Sequence, residues 1–217
     1  MKNGKTKNRK TGYSCFEERP RREYNPSEHV ARWGRNIKHA WQRIRYGYCE
    51  RDVWSIDWWF LSVVPNMLEE LRETAHGYPG SPGNLSHALA GTGAPEEVDE
   101  AGMKKWEDIL SEMIFLFREA HEDTCTRKNS HQVEYDRASA EFEKKYGTFG
   151  EKLRTEADKA EEKEKGLYRM YTLSDVPEYK GISELYFEEE REIDRYRNEC
   201  KDKGLDLFKK WFWNLWD

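Results

Sequence analysis

The sequence predicts an all-α protein: a multi-helix bundle with a long polar helical hairpin, a central proline-kinked helix and a glycine-rich loop. Three observations predict it. Apolar residues recur at helical three- and four-residue steps, capping residues stand where those patterns begin, and nothing reads as a sheet.

Residues 1–27, rich in Lys, Arg, Asn and Gly, have no apolar periodicity and read as a flexible basic N-terminal arm, leaving 28–217 as a single helical domain. Ser27 is a suitable N-cap for a first helix from Glu28 to Tyr46, with Val30, Trp33, Ile37, Trp41 and Ile44 at helical spacing and Gly47 as its stop. Asp52 is expected to cap a second helix that carries Phe60, Val64, Met67, Leu68 and Leu71 on one stripe. Trp54, Trp58, Trp59 and Leu61 are expected to widen its buried surface. Pro65 falls inside this pattern and should kink or interrupt the helix, because proline lacks the N–H and crowds the preceding turn.

Glycines and prolines between Gly77 and Ala94 mark a long loop, of a size that suits a lid. Pro95 then opens a third helix with Trp106, Ile109, Leu110, Met113, Ile114 and Phe117 facing inward. A long polar helix follows, with Tyr135, Ala138, Phe142, Tyr146, Phe149, Leu153, Ala157 and Ala160 forming the seam of a hairpin, weakened midway by Gly147 and Gly150. After a turn near Val176, Pro177 and Gly181, residues Leu185 to Cys200 predict a fifth helix and Leu205 to Trp216 a short aromatic sixth.

Composition bounds the rest. Apolar residues make up 36% of the chain and charged residues another 36%, but nine Trp, twelve Tyr and nine Phe supply large pieces for a thin core. The net charge of −5 offers no general attraction to nucleic acid, yet thirteen Lys or Arg against four Glu give the first 45 residues +9 and leave −14 on the remainder. Nucleic acid is therefore expected as a partner only through the basic arm. No stretch resembles a signal peptide or reaches the roughly eighteen apolar residues of a membrane span, so no membrane partner and a cytoplasmic location are expected. Cys15, Cys49, Cys125 and Cys200 have no paired spacing and read as reduced thiols.

The densest segment is RIRYGYCERDVWSIDWW. Arg43, Arg45 and Arg51 offer fork-shaped donors for phosphate or carboxylate, Tyr46, Tyr48 and Trp54 offer flat faces for a base, and Asp57 beside Asp52 offers acceptors for ribose. These are the parts of a nucleotide site. The same residues also read as structure, with Asp52 capping a helix, the arginines paired to acids and the aromatics in the core. Glu69, Glu70 and Glu73 with Glu96 and Asp99 match the short carboxylate pattern of all-α pyrophosphohydrolases, and also match a solvated acidic face. His121 and Cys125 stand one helical turn apart without a second pair of metal ligands at a recognisable spacing.

The stretch RYGYCERDVWSIDWWF, the HGYP after the second helix, the WEDILSEMIFLF helix and the ending GLDLFKKWFWNLWD resemble a group of uncharacterised tailed-bacteriophage and prophage proteins. The resemblance implies a phage origin and a bacterial host cytoplasm, and it supplies no catalytic residues. On these grounds the leading expectation is a non-enzymatic phage accessory protein and homo-oligomer. Its site of Arg43, Arg45, Tyr46, Tyr48, Arg51, Trp54 and Asp57 would bind a small anionic or nucleotide ligand, such as a host immune signal. The alternative is a helical interaction module for a host protein, a virion protein or DNA, and the third reading is a magnesium-dependent nucleotide pyrophosphohydrolase. No catalytic residue, metal ligand or cofactor is assigned.

Overall fold

Proline is at ease in a helix's first turn, where its missing N–H has no partner to lose, and α1 begins with one, spanning Pro26–Tyr46. Arg43 and Arg45 sit in its last turn, where cations suit the helix dipole. Gly47, at φ +80°, ends it by donating its N–H to the Arg43 carbonyl at 2.9 Å. The structure, a computed structural model, describes residues 26–79 and 96–216, with side chains described for 27–79 and 100–216. The expected basic arm lies outside the described residues except at its last two positions, as do residues 80–94 of the glycine-rich loop and Pro95, the expected start of the third helix.

The order continues α2 (Glu50–Trp54), α3 (Ile56–Thr74), α4 (Glu96–Ala120), α5 (Gln132–Tyr146), α6 (Glu156–Lys165) and α7 (Pro177–Trp211), with three short 3-10 turns. No strand occurs among the described residues, so the all-α reading holds. None of the described helices is long and apolar enough to cross a membrane.

Four boundaries differ from the sequence expectation. Helix α1 begins at Pro26, so Ser27 lies inside the helix instead of capping it. The second helix is divided at Ser55, and α3 runs on unbroken through Pro65, whose ring is buried. Burial of that ring offsets the hydrogen bond it cannot make. The polar helix stops at Gly147, which adopts φ +92°, and resumes as α6 after Thr155 and Asp158 exchange reciprocal capping bonds of 2.7 and 3.2 Å. The expected fifth and sixth helices are instead one helix of 35 residues, which absorbs Gly181 and Gly204.

The chain forms two compact units, Met1–Cys125 with Glu199–Asp217, and Thr126–Asn198. In the first, Leu68, Trp106, Leu110, Met113, Ile114, Phe117 and Trp211 form the buried core. The inward stripe expected of the WEDILSEMIFLF helix is therefore its central component. Phe60, Phe117 and Phe208 meet edge to face at 5.3–6.0 Å, as do Trp106 and Trp211 at 5.4 Å. Of these, the fully buried Phe117 contributes about 1.5–3 kcal/mol.

The second unit is built on Ala138, Phe142, Leu173, Val176 and Tyr179. Tyr135 and Tyr186 stack at 4.0 Å beside them. Tyr171 donates its hydroxyl to Asp158 at 2.9 Å, tying the α6 cap to the segment before α7. Phe149, expected in the seam, is exposed, as are Ala157 and Ala160.

Candidate interaction surface

Helix α1 places its apolar residues where a polar face is normally found. Val30, Trp33, Ile37, Trp41 and Ile44 are 73, 66, 63, 56 and 86% exposed, although their spacing puts them on one stripe. The buried residues of the same helix are Arg32 and His39, on the opposite side. An apolar stripe faces outward and a cationic face inward. Removing apolar surface from water yields roughly 25 cal/mol per Å², so a stripe of this size left in solvent forgoes a large stabilisation.

The inward face is held by ion pairs with α2. Arg43 donates Nε to Asp52 Oδ2 at 3.0 Å and Nη2 to Oδ1 at 2.5 Å, and Asp52 Oδ2 also accepts the Cys49 N–H at 2.8 Å. Asp52 thus stands three residues inside the helix and reaches back to its start, with Cys49 as the capping residue. Burial pushes the Asp52 carboxyl up, but the Arg43 and Cys49 hydrogen bonds outweigh it and hold the group below its ordinary value. Lys38 and Gln42 likewise converge on Glu50, at 2.9 and 3.1 Å, and lower its pKa.

The residues proposed for a nucleotide site are all near this junction. Arg43 is occupied by Asp52. The Arg45 guanidinium lies 5.7 Å from the Tyr46 ring centroid, and Tyr46 continues an aromatic chain to Trp41 at 5.8 Å and Tyr48 at 6.4 Å. Arg51 and Asp57 are exposed. The Ser55 hydroxyl donates to Asp57 at 2.9 Å, and this bond with the Trp58 N–H lowers the Asp57 pKa. Trp54, expected to add buried surface, is instead 91% exposed, because the break at Ser55 separates it from the apolar stripe of α3. The arrangement is an open aromatic and cationic surface.

No family model, curated protein or solved structure matches the chain.

The acidic residues of α3 serve different ends. Glu69 is buried and accepts Arg118 Nη2 at 2.7 Å, with Arg72 at 3.7 Å, whereas Glu70 and Glu73 are exposed. The side chains of Glu96 and Asp99 lie outside the described residues. His121 accepts the Asp123 N–H at Nδ1 (3.1 Å), which leaves Nε2 to donate to the Ser62 hydroxyl (2.9 Å), while the Cys125 thiol approaches Glu119 at 3.8 Å. Among the described residues no group of three or more His, Cys, Asp or Glu is placed to hold a metal ion. A mostly apolar cleft of about 210 Å³ lies between the His76–Pro79 turn, Trp106, Asn214 and Trp216. The HGYP turn, the WEDILSEMIFLF helix and the C-terminal aromatic segment each contribute to its lining.

Sequence reasoning found the α1 stripe but not its outward orientation. One signal for it was present: α1 carries five Lys or Arg against a single Glu, and a basic helix with a tryptophan-bearing apolar face is the pattern of a helix that binds another surface.

Proposed function

We propose that this chain is a helical interaction module, a bacteriophage accessory protein of the host cytoplasm that acts by docking the apolar face of α1 against another polypeptide. The observation that carries the reading is the inverted burial of α1, with Trp33 and Trp41 exposed and Arg32 and His39 buried. Aromatic side chains contribute most at protein interfaces, because a rigid ring buries much area at little entropic cost.

A small-anion pocket has less support. Its central guanidinium, Arg43, already makes a two-pronged pair with Asp52, and the aromatics Tyr46, Tyr48 and Trp54 are exposed, whereas a small-ligand site encloses most of its occupant. The phage setting rests on the sequence resemblance alone.

A photo-cross-linking residue at position 37 or 44, with position 191 of the second unit as control, tests the proposal in infected cells. Protein adducts from 37 and 44 but not from 191 are expected. Absence of adducts from α1, together with calorimetric binding of a nucleotide that Arg51→Ala abolishes, would return the function to the nucleotide reading.

A further inference from the structure

The α1 stripe has an internal symmetry that identifies its occupant. Trp33 and Trp41 lie four residues to either side of Ile37, and Val30 and Ile44 lie seven to either side. Read in either direction, the face runs aliphatic, Trp, Ile, Trp, aliphatic. A two-fold axis perpendicular to the helix at Ile37 therefore superposes the stripe on itself, which is the condition for an isologous contact. Building on the interaction reading above, we infer that the partner is a second copy of this chain, with the two α1 helices packed antiparallel about Ile37.

Side-chain size and charge agree with that register. Across the axis Val30 meets Ile44, Trp33 meets Trp41, and Ile37 meets its own copy. The positions flanking the stripe pair Gly34 with Ala40, two small residues that let helices approach closely. Outside them Arg45 faces His29 and Lys38 faces Asn36, so no Lys or Arg is set against another. A parallel pair would instead bring Lys38 and Arg45 level with their own copies, setting like charges side by side along the edges of the contact.

The exposed surface is also sufficient. Two tryptophans and three aliphatic residues at the exposures given above present on the order of 600–700 Å² per copy, and a pair that covers the stripe fully buries up to about twice that, at the lower end of the range of specific interfaces. The Trp41–Tyr46–Tyr48 ring chain extends the patch at one end. Arg43–Asp52 holds α1 on α2 without using any residue of the stripe, so each copy offers the face already formed.

Sedimentation of the full chain from about 1 to about 200 µM should show a monomer–dimer equilibrium. Ile37 sits on the axis and counts twice, so Ile37→Lys should weaken dimerisation at least ~100-fold. Its far-ultraviolet spectrum should be unchanged, since the residue is exposed. Orientation is read separately in a Cys15→Ser background, where Cys49, Cys125 and Cys200 are buried. Mixed Val30→Cys and Ile44→Cys chains should form a 30–44 disulfide, and neither variant should cross-link to itself, because like positions are about 21 Å apart across the axis.

A chain that stays monomeric at ~200 µM overturns the inference, as does self-cross-linking through position 44. So does binding of the monomer to anionic phospholipid vesicles with a blue shift of its tryptophan emission. If position 37 photo-cross-links a different protein while the chain remains monomeric, the second copy is wrong and the interaction reading stands. If it cross-links nothing, both fall.

Discussion

Arg43 and Asp52 make two side-by-side hydrogen bonds between α1 and α2, and the carboxylate oxygen that accepts Arg43 Nε also accepts the Cys49 N–H. One side chain therefore ties two helices together and starts the second. Asp52 is buried while Arg43 is only partly so, which makes the acid the costlier of the two to leave unpaired.

Asp52→Asn should destabilise the first unit by roughly 2–3 kcal/mol at neutral pH, measured by urea unfolding, because Arg43 then loses its counter-charge. The effect should depend on pH. The Arg43 and Cys49 hydrogen bonds hold the folded-state pKa of Asp52 below its ordinary value, so its contribution is fully present above the unfolded pKa and disappears as pH falls through the folded one. The gap between wild type and variant should therefore begin to narrow as pH falls below about 4 and close only below the depressed folded-state pKa. An unchanged gap at pH 3 would show that the carboxylate's charge is not what matters.

Tryptophan substitutions should fall into two classes. Trp106 and Trp211 are buried against each other, so replacing either with Ala should cost about 3–5 kcal/mol. Trp54→Ala should change stability by less than about 0.5 kcal/mol, because the side chain is exposed. Thermal unfolding of the three variants compares them directly. A large loss at Trp54 would mean that the break at Ser55 is misplaced.

Magnesium should leave the protein's stability unchanged. Glu69 is engaged by Arg118 and Arg72, which neutralise the charge a divalent ion would need. Melting temperatures with and without about 10 mM Mg²⁺ should agree within about 1 °C, since only binding to the folded state shifts them. Glu69→Gln should cost roughly 2 kcal/mol by leaving Arg118 without its partner. A clear magnesium-dependent rise that Glu69→Gln removes would favour the hydrolase reading.

The α4 stripe from Trp106 to Phe117 was legible because its apolar residues are dense enough that only one face can turn inward, and the buried set matches it. Helix α1 has equally regular spacing, but periodicity specifies a face without saying whether the rest of the chain covers it. Its outward orientation depends on Arg43 finding Asp52, a pairing between helices that no local pattern encodes. Asp52 has the chemistry of a cap in any register, so its place inside α2 instead of before it was equally hidden. Glycine misled in both directions. Gly147 ends α5 because the next turn requires positive φ, whereas Gly181 and Gly204 stay helical.

Those two α7 glycines give the sharpest contrast. A Cβ at Gly181 would meet nothing within 4 Å, so Gly181→Ala should stabilise the protein by about 0.5–1 kcal/mol through the lower entropy of its unfolded chain and a better helix propensity. At Gly204 the same methyl would lie 2.9 Å from Phe117 Cε1 and 3.0 Å from Cδ1. Phe117 is fully buried and wedged between Phe60 and Phe208, so its ring has little room to retreat. Gly204→Ala should therefore lose about 1–3 kcal/mol despite the same gain in propensity. Adding Phe117→Leu should recover part of that loss by shortening the opposing side chain, and the coupling is read from a double-mutant cycle in urea. Equal effects at the two glycines would mean that α7 does not approach α4 as closely as the Phe117 contact requires.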